Sequence, residues 1–301
     1  MIEHFGFLPV SASATSSMTN YTYAHLVRQA APLPAGIVGN FRAAARSALL
    51  HASAIVNTSS ADKFLRCLYC HYVFDDQIDQ FEKIISRLKA QGQFVTTDAC
   101  INMLQGEKHI DGRYFHLSFD DGFRNTFTNA LPVLEKHEVP AIFFVPSSLI
   151  SAELEETAHY CLKTTRYRGV IETLKWNDLE TMMSLGYEVG SHTKTHARFS
   201  DISNDNALLE DEIVGSKHVL ESHLHYKCKY ISWPYGRVSD SDGVSLAMAK
   251  LAGYEACFGA FRGTIFAGQT DIFKIPRHHF EAQWPVQHIE YFARGNMEAK
   301  L

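Results

Sequence analysis

From residue 63 onward, short apolar runs alternate with stretches of helical period. FLRCLYCHYV (64–73) is an apolar run of strand length, and DDQIDQFEKIISRLKAQG (75–92) carries apolar residues on one helical face, with Asp75 placed to cap it and Gly92 to stop it. QFVTT (93–97) predicts a strand, DACINMLQG (98–106) a short helix, and RYFHLSF (113–119) a strand ending at Asp120-Asp121-Gly122. The pattern continues with a helix over 125–138, a buried strand over 140–145, a helix over 176–186 and a strand over 187–191. A long helix over 204–224, a strand over 229–233, a helix over 240–253 and strands over 254–260 and 271–277 complete it. Strands that alternate with helices argue for parallel pairing through helical crossovers. Seven or eight such strands fit a closed or nearly closed (β/α) barrel better than a short open sheet.

Residues 1–62 depart from this pattern. The first twenty are rich in Ser, Thr and Ala, Pro32 and Pro34 interrupt the chain, and FRAAARSALLHASAIV (41–56) reads as an Ala-rich helix. We therefore divide the chain into a partly helical N-terminal extension, 1–62, and a barrel, 63–301. The extension could pack on the barrel, cover its cleft or hold a second subunit. Arg42 and Arg46, four apart on one face, leave docking to a membrane surface open.

Composition narrows the functional classes. A net charge of −5 with no basic runs gives no support for nucleic acid as a partner. No apolar stretch reaches the ~20 residues of a membrane span. Glu3 and His4 stand where a signal peptide would carry basic residues, so no cleaved leader is expected and the cytoplasm is the expected compartment. Of six cysteines, Cys67 and Cys70 have CxxC spacing, but no second pair accompanies them, and they read as buried, reduced thiols in a strand.

The candidate chemistry lies at predicted strand ends. SFDDGF (118–123) supplies two adjacent carboxylates, Asp120 and Asp121, and SHTKTH (191–196) supplies His192 and His196. Histidines at i and i+4 can share one cation if the backbone is helical. With Asp121 they make a three-ligand set of the kind catalytic zinc uses, leaving a position open for water. Asp120 then remains free to accept a proton, and Gly122 suits a turn that a Cβ would obstruct. Together these features point to a metal-dependent hydrolase.

On these motifs the chain resembles the polysaccharide deacetylase family (carbohydrate esterase family four) over about residues 65–280. SFDDGF is similar to the family's TFDDG motif, SHTKTH to HSxxH, and SWPYG (232–236) to RxPYG. The resemblance implies a distorted (β/α)7 barrel and hydrolysis of N-acetyl groups from an amino-sugar glycan or its precursor. It implies Zn²⁺, or another divalent ion such as Co²⁺ or Ni²⁺, on Asp121, His192 and His196. It makes Asp120 the general base and the Tyr235 N–H an oxyanion donor aimed by Pro234.

Three departures follow. Ser232 stands where the family has arginine, and Arg277 of KIPRHHF could reach the site from the last strand instead. The family's general acid is a histidine near the last strand, where His278 and His279 are adjacent; strand alternation lets one face the site, and His279 is preferred because it shares a face with Arg277. The N-terminal 62 residues have no counterpart. Trp233 could stack on a sugar ring and His71 could line the cleft, whereas Trp176 and Trp284 read as structural. The long segment 147–175 should wall the cleft, where Arg166, Tyr167 and Arg168 could meet a phosphate or sugar but read first as solvated loop residues. An amidohydrolase acting on a cyclic imide, formamide or ureide, and a barrel retained only for binding, are the alternatives.

Overall fold

The computed structural model describes residues 63–167 and 169–294. The predicted N-terminal extension, 1–62, and Arg168 lie outside the described residues. Eight parallel strands form one curled sheet: β1 (Phe64–Cys70), β2 (Gln93–Phe94), β3 (Arg113–Phe119), β4 (Ile142–Val145), β5 (Glu188–Ser191), β6 (Tyr230–Ser232), β7 (Ala256–Phe258) and β8 (His278–His279). Their order is β7-β6-β5-β4-β3-β1-β8, with β2 added beside β3. Phe258 of β7 bridges Ile275, just before β8, which brings the two ends of the sheet together. This is the (β/α)7 barrel type of architecture, and burial on both sheet faces explains why strands such as β1, buried at all seven positions, read as continuous apolar runs.

The elements differ from expectation where local chemistry intervenes. Residues 271–277 run beside β7 through irregular backbone bonds, Ile275 N–H to Cys257 C=O at 3.1 Å and Gly259 N–H to Ile275 C=O at 2.9 Å, and the regular strand is displaced to His278–His279. The predicted helix over 204–224 is two α-helical segments joined by a wide turn at Asp211–Gly215. Asp75 does not cap its helix: the Gln77 side chain accepts from the Phe74 N–H, and Asp75 accepts from Asn129 Nδ2 at 2.9 Å.

The barrel interior is layered. Helix Thr97–Gln105, capped by the Thr96 hydroxyl, plugs the N-terminal end and packs with Leu65, Cys67, Ile142, Phe144 and Phe258 into one apolar cluster. Above it the Arg277 guanidinium lies 4.5 Å from the Tyr69 ring centre and 5.4 Å from that of Phe144. The segment 147–175 folds over the C-terminal end, where Tyr160, Cys161 and Ile171 pack with Tyr72, Phe74 and Phe123 to make a wall. Among the described residues no helix is long and apolar enough to cross a membrane.

Candidate active site

β3 ends at Phe119 and delivers Asp120 and Asp121 into a cavity of about 140 Å³ at the C-terminal end of the barrel. β5 ends at Ser191 and delivers His192 and His196 opposite them. The Nε2 atoms of His192 and His196 approach one oxygen of Asp121, Oδ1, at 3.3 and 3.2 Å. All three side chains are buried, and their ligand atoms lie within 4.8 Å of one another. His192 Nδ1 lies 2.7 Å from the Ser232 carbonyl oxygen, so it carries the proton and Nε2 keeps a lone pair for a cation. The donor set fits a divalent ion of the zinc type, with two imidazoles and one carboxylate.

The 192–196 segment is not the helical turn the spacing suggested. Thr193 and His196 have left-handed backbone, φ +65° and +66°. The loop is held from below by buried Glu212, whose Oε2 accepts the Lys194 and Thr195 N–H groups at 3.0 and 2.9 Å. Eight non-glycine residues among those described have φ in this region, and three of them, Asp121, His196 and Tyr235, line the cavity. Such conformations cost about 1–3 kcal/mol each and persist where the surroundings over-determine them. Gly236, φ +68°, closes the Tyr235 turn; a Cβ there would lie 2.1 Å from that of Ala260.

Asp120 is held differently from Asp121. Arg277, fully buried, reaches up from the approach to β8 and pairs with both its oxygens, Nη1 to Oδ1 at 2.8 Å and Nη2 to Oδ2 at 2.6 Å. The same guanidinium donates to Ser232 Oγ at 2.6 Å, to Ser118 Oγ at 2.9 Å and through Nε to the Gly259 carbonyl at 2.6 Å. Burial alone would raise the Asp120 carboxyl, but the Arg277 charge and His192 outweigh it and hold it below the usual range. Burial likewise opposes Asp121, and His71 with the two ligand histidines brings it well below.

His71 lines the cavity and His279 does not. β8 pairs with β1 so that His279 sits opposite Tyr69 and His278 opposite Leu68. His279 therefore shares the inward face with Arg277, but it lies behind His71, 5.0 Å between ring centres, with Trp284 at 5.5 Å on its edge. Burial, helped by His71 and Arg262, pushes its pKa down to about 3.

Two expectations need correction. Trp233 lines the cavity, but it is 1% exposed, packs on Phe261 and donates its indole N–H to the Arg237 carbonyl, which leaves little of its ring open for stacking on a sugar. The exposed aromatic at the mouth is Tyr235, whose ring lies 3.8 Å from the Arg198 guanidinium and whose hydroxyl donates to the Thr164 carbonyl at 3.1 Å. Pro234, buried beside it, sits in the turn. Tyr167 is no solvated loop residue: its hydroxyl donates to Asp121 Oδ2 at 3.0 Å, and Tyr160 donates to the Asp121 carbonyl at 3.1 Å. Only the unusual length of the 147–175 connection hinted at either tyrosine.

The family and the fold have counterparts among known proteins. The polysaccharide deacetylase family model matches residues 107–257, half of the chain, and the chain belongs to that family. It is 24% identical over 177 residues to the Bacillus subtilis protein YxkH, covering 58% of this chain and 55% of that one. It is 22% identical over 196 residues to the poly-beta-1,6-N-acetyl-D-glucosamine N-deacetylase of Escherichia coli, covering 58% of this chain and 28% of that enzyme. The chain thus spans about half, or less, of the length of these relatives. The fold is shared with IcaB from Ammonifex degensii at a TM-score of 0.65, 21% identity and coverage of 78% and 99% of the two chains. The Streptococcus pyogenes deacetylase PplD superposes at a TM-score of 0.59, with 17% identity and coverage of 77% and 98%.

Proposed function

We propose that this chain is a metal-dependent N-deacetylase that removes acetyl groups from an amino-sugar glycan or glycan precursor. The observation that carries the reading is the pairing of a three-ligand set, Asp121, His192 and His196, with a separate carboxylate, Asp120, oriented by Arg277. A barrel retained only for binding has no use for the second carboxylate.

Asp121, His192 and His196 would hold the ion. A divalent ion there supplies Lewis acidity toward the acetamide carbonyl and makes water nucleophilic near neutral pH. Asp120, ionised and fixed at both oxygens, keeps lone pairs free to accept the proton of the attacking water. The Tyr235 N–H, presented by its left-handed turn, donates to the oxyanion. His71, which lines the cavity, hands a proton to the departing amine; His279, behind it and held neutral, orders that ring. The cavity is small beside the roughly 300–1,000 Å³ of pockets that enclose whole ligands. It suits one acetamido group, with the remaining sugars lying across the open mouth beside Tyr235.

The test is acetate release from N-acetylglucosamine oligomers, with simple formamides, imides and ureides alongside, by protein stripped of metal and then resupplied with zinc, cobalt or nickel. Metal-dependent acetate release from the oligomers supports the reading. Turnover of only the small amides would replace it with another amidohydrolase, and inactivity with every metal would sink it.

A further inference from the structure

Below the catalytic layer the barrel holds a second group of potential ligands that the proposed reaction does not use. Cys67 of β1 and His116 of β3 are register partners, and Cys100 rises toward them from the helix Thr97–Gln105 that plugs the barrel. The CxxC spacing turns out to be incidental, because Cys67 meets Cys100 and not Cys70. The two Sγ atoms are 3.6 Å apart, and all three residues are buried, with one ligand atom from each within 4.8 Å of the others. Two thiolates bound to one tetrahedral zinc at about 2.3 Å lie about 3.8 Å apart, so the sulfurs already have nearly the spacing of a shared ion.

The histidine supplies the second observation. His116, 1% exposed, lies 3.1 Å through Nε2 from Thr97 Oγ1, while its Nδ1 is buried with no hydrogen-bond partner. With Nε2 donating to the threonine, Nδ1 presents a lone pair and nothing to receive it. Metal-bound histidines characteristically donate their other N–H to a nearby oxygen in this way. The His116 ring is fixed further by stacking on Phe258, 5.3 Å between centres and 15° between planes.

We propose that Cys67, Cys100 and His116 form a second, closed metal site that takes one zinc ion and ties the plug helix to β1 and β3. Binding releases the two thiol protons, and two thiolates with a neutral imidazole balance the ion's charge. A neutral complex is what an apolar interior tolerates. The three protein ligands leave the fourth tetrahedral position to a non-protein ligand. The site supports catalysis indirectly, since Tyr69 is the next inward residue after Cys67 on β1, and Ser118 and Asp120 follow His116 on β3.

The experiment removes the catalytic ligands first, so that it does not depend on the deacetylase reading. The full chain carrying His192→Ala and His196→Ala is purified from zinc-supplemented cells, dialysed against a chelator and analysed for metal. About one zinc per chain should remain, and cobalt in its place should show thiolate-to-cobalt charge-transfer absorption. Adding Cys100→Ala should abolish both signals; Cys67→Ala and His116→Gln are parallel arms should that variant fail to fold. A folded double-histidine variant with no zinc, or a zinc that survives removal of either cysteine, would overturn the proposal. Loss of metal from the wild type only on mutation of His192 and His196 would leave the deacetylase reading intact and refute the second site.

Discussion

The two ends of this barrel carry similar ligand chemistry and put it to different use. At the C-terminal end, His192, His196 and Asp121 open onto a cavity, sit on left-handed backbone, and have a spare carboxylate beside them. Lower in the interior, Cys67, Cys100 and His116 lie on a regular strand pair and a helix, sealed among apolar side chains, with no spare base. The difference is access. A ligand set that leaves room for water and substrate can do chemistry, and the same kind of set closed off can only hold elements together. Strain follows the same division, because loops must bend sharply to aim side chains into an opening, whereas strands in register need not.

The largest effect that would break this comparison is expected at Asp120. Asp120→Asn should lower kcat about 10²–10⁴-fold with metal content unchanged, as a base outside the ligand set requires; lost metal would make it a ligand instead. Arg277→Ala leaves a buried carboxylate unpaired and should cost about 3–5 kcal/mol of stability by denaturant unfolding. Arg277→Lys keeps the charge without the two-pronged grip and should lower kcat about a hundredfold with little change in KM. The same pair sets a pH dependence. The folded-state pKa of Asp120 is depressed, so its stabilisation is complete above the unfolded value of about 3.9 and is lost as pH falls through the lower folded one. Thermal scans of wild type and Asp120→Asn should converge only in strong acid.

Next comes the histidine pair. His71→Ala should remove the basic limb of the pH–rate profile, and His279→Gln should leave that limb in place with kcat within about tenfold. The reverse pattern would return the proton donor to β8. Smallest is Tyr167→Phe, which deletes one hydrogen bond to Asp121 and should weaken metal binding about tenfold by competition with a chelator.

Much of the site was legible because its motifs are short and local. Asp120-Asp121-Gly122 sits at the end of a run whose apolar character marks a buried strand, and His192 follows another. Where reading along the chain failed, the deciding partner was distant. Trp233 looked free for a sugar until Phe261 and the Arg237 carbonyl enclosed it. Tyr167 carried no mark of its contact with Asp121, 46 residues away, and Glu212 none of its grip on the histidine loop. His279 satisfied strand alternation, but alternation assigns a face and says nothing about which residue on that face lies nearest the opening.

The order of strands and helices, the barrel class and the strand-end positions of Asp121 and His192 were legible in the sequence alone, because hydrophobic period and strand-end motifs act over a few residues. Tertiary structure alone decided that Arg277 grips Asp120 across 157 residues, that His71 stands before His279, and that Cys67 meets Cys100 rather than Cys70. Those contacts depend on sheet curvature and on which helix fills the barrel's end, and both are set by packing of the whole interior rather than by any local preference.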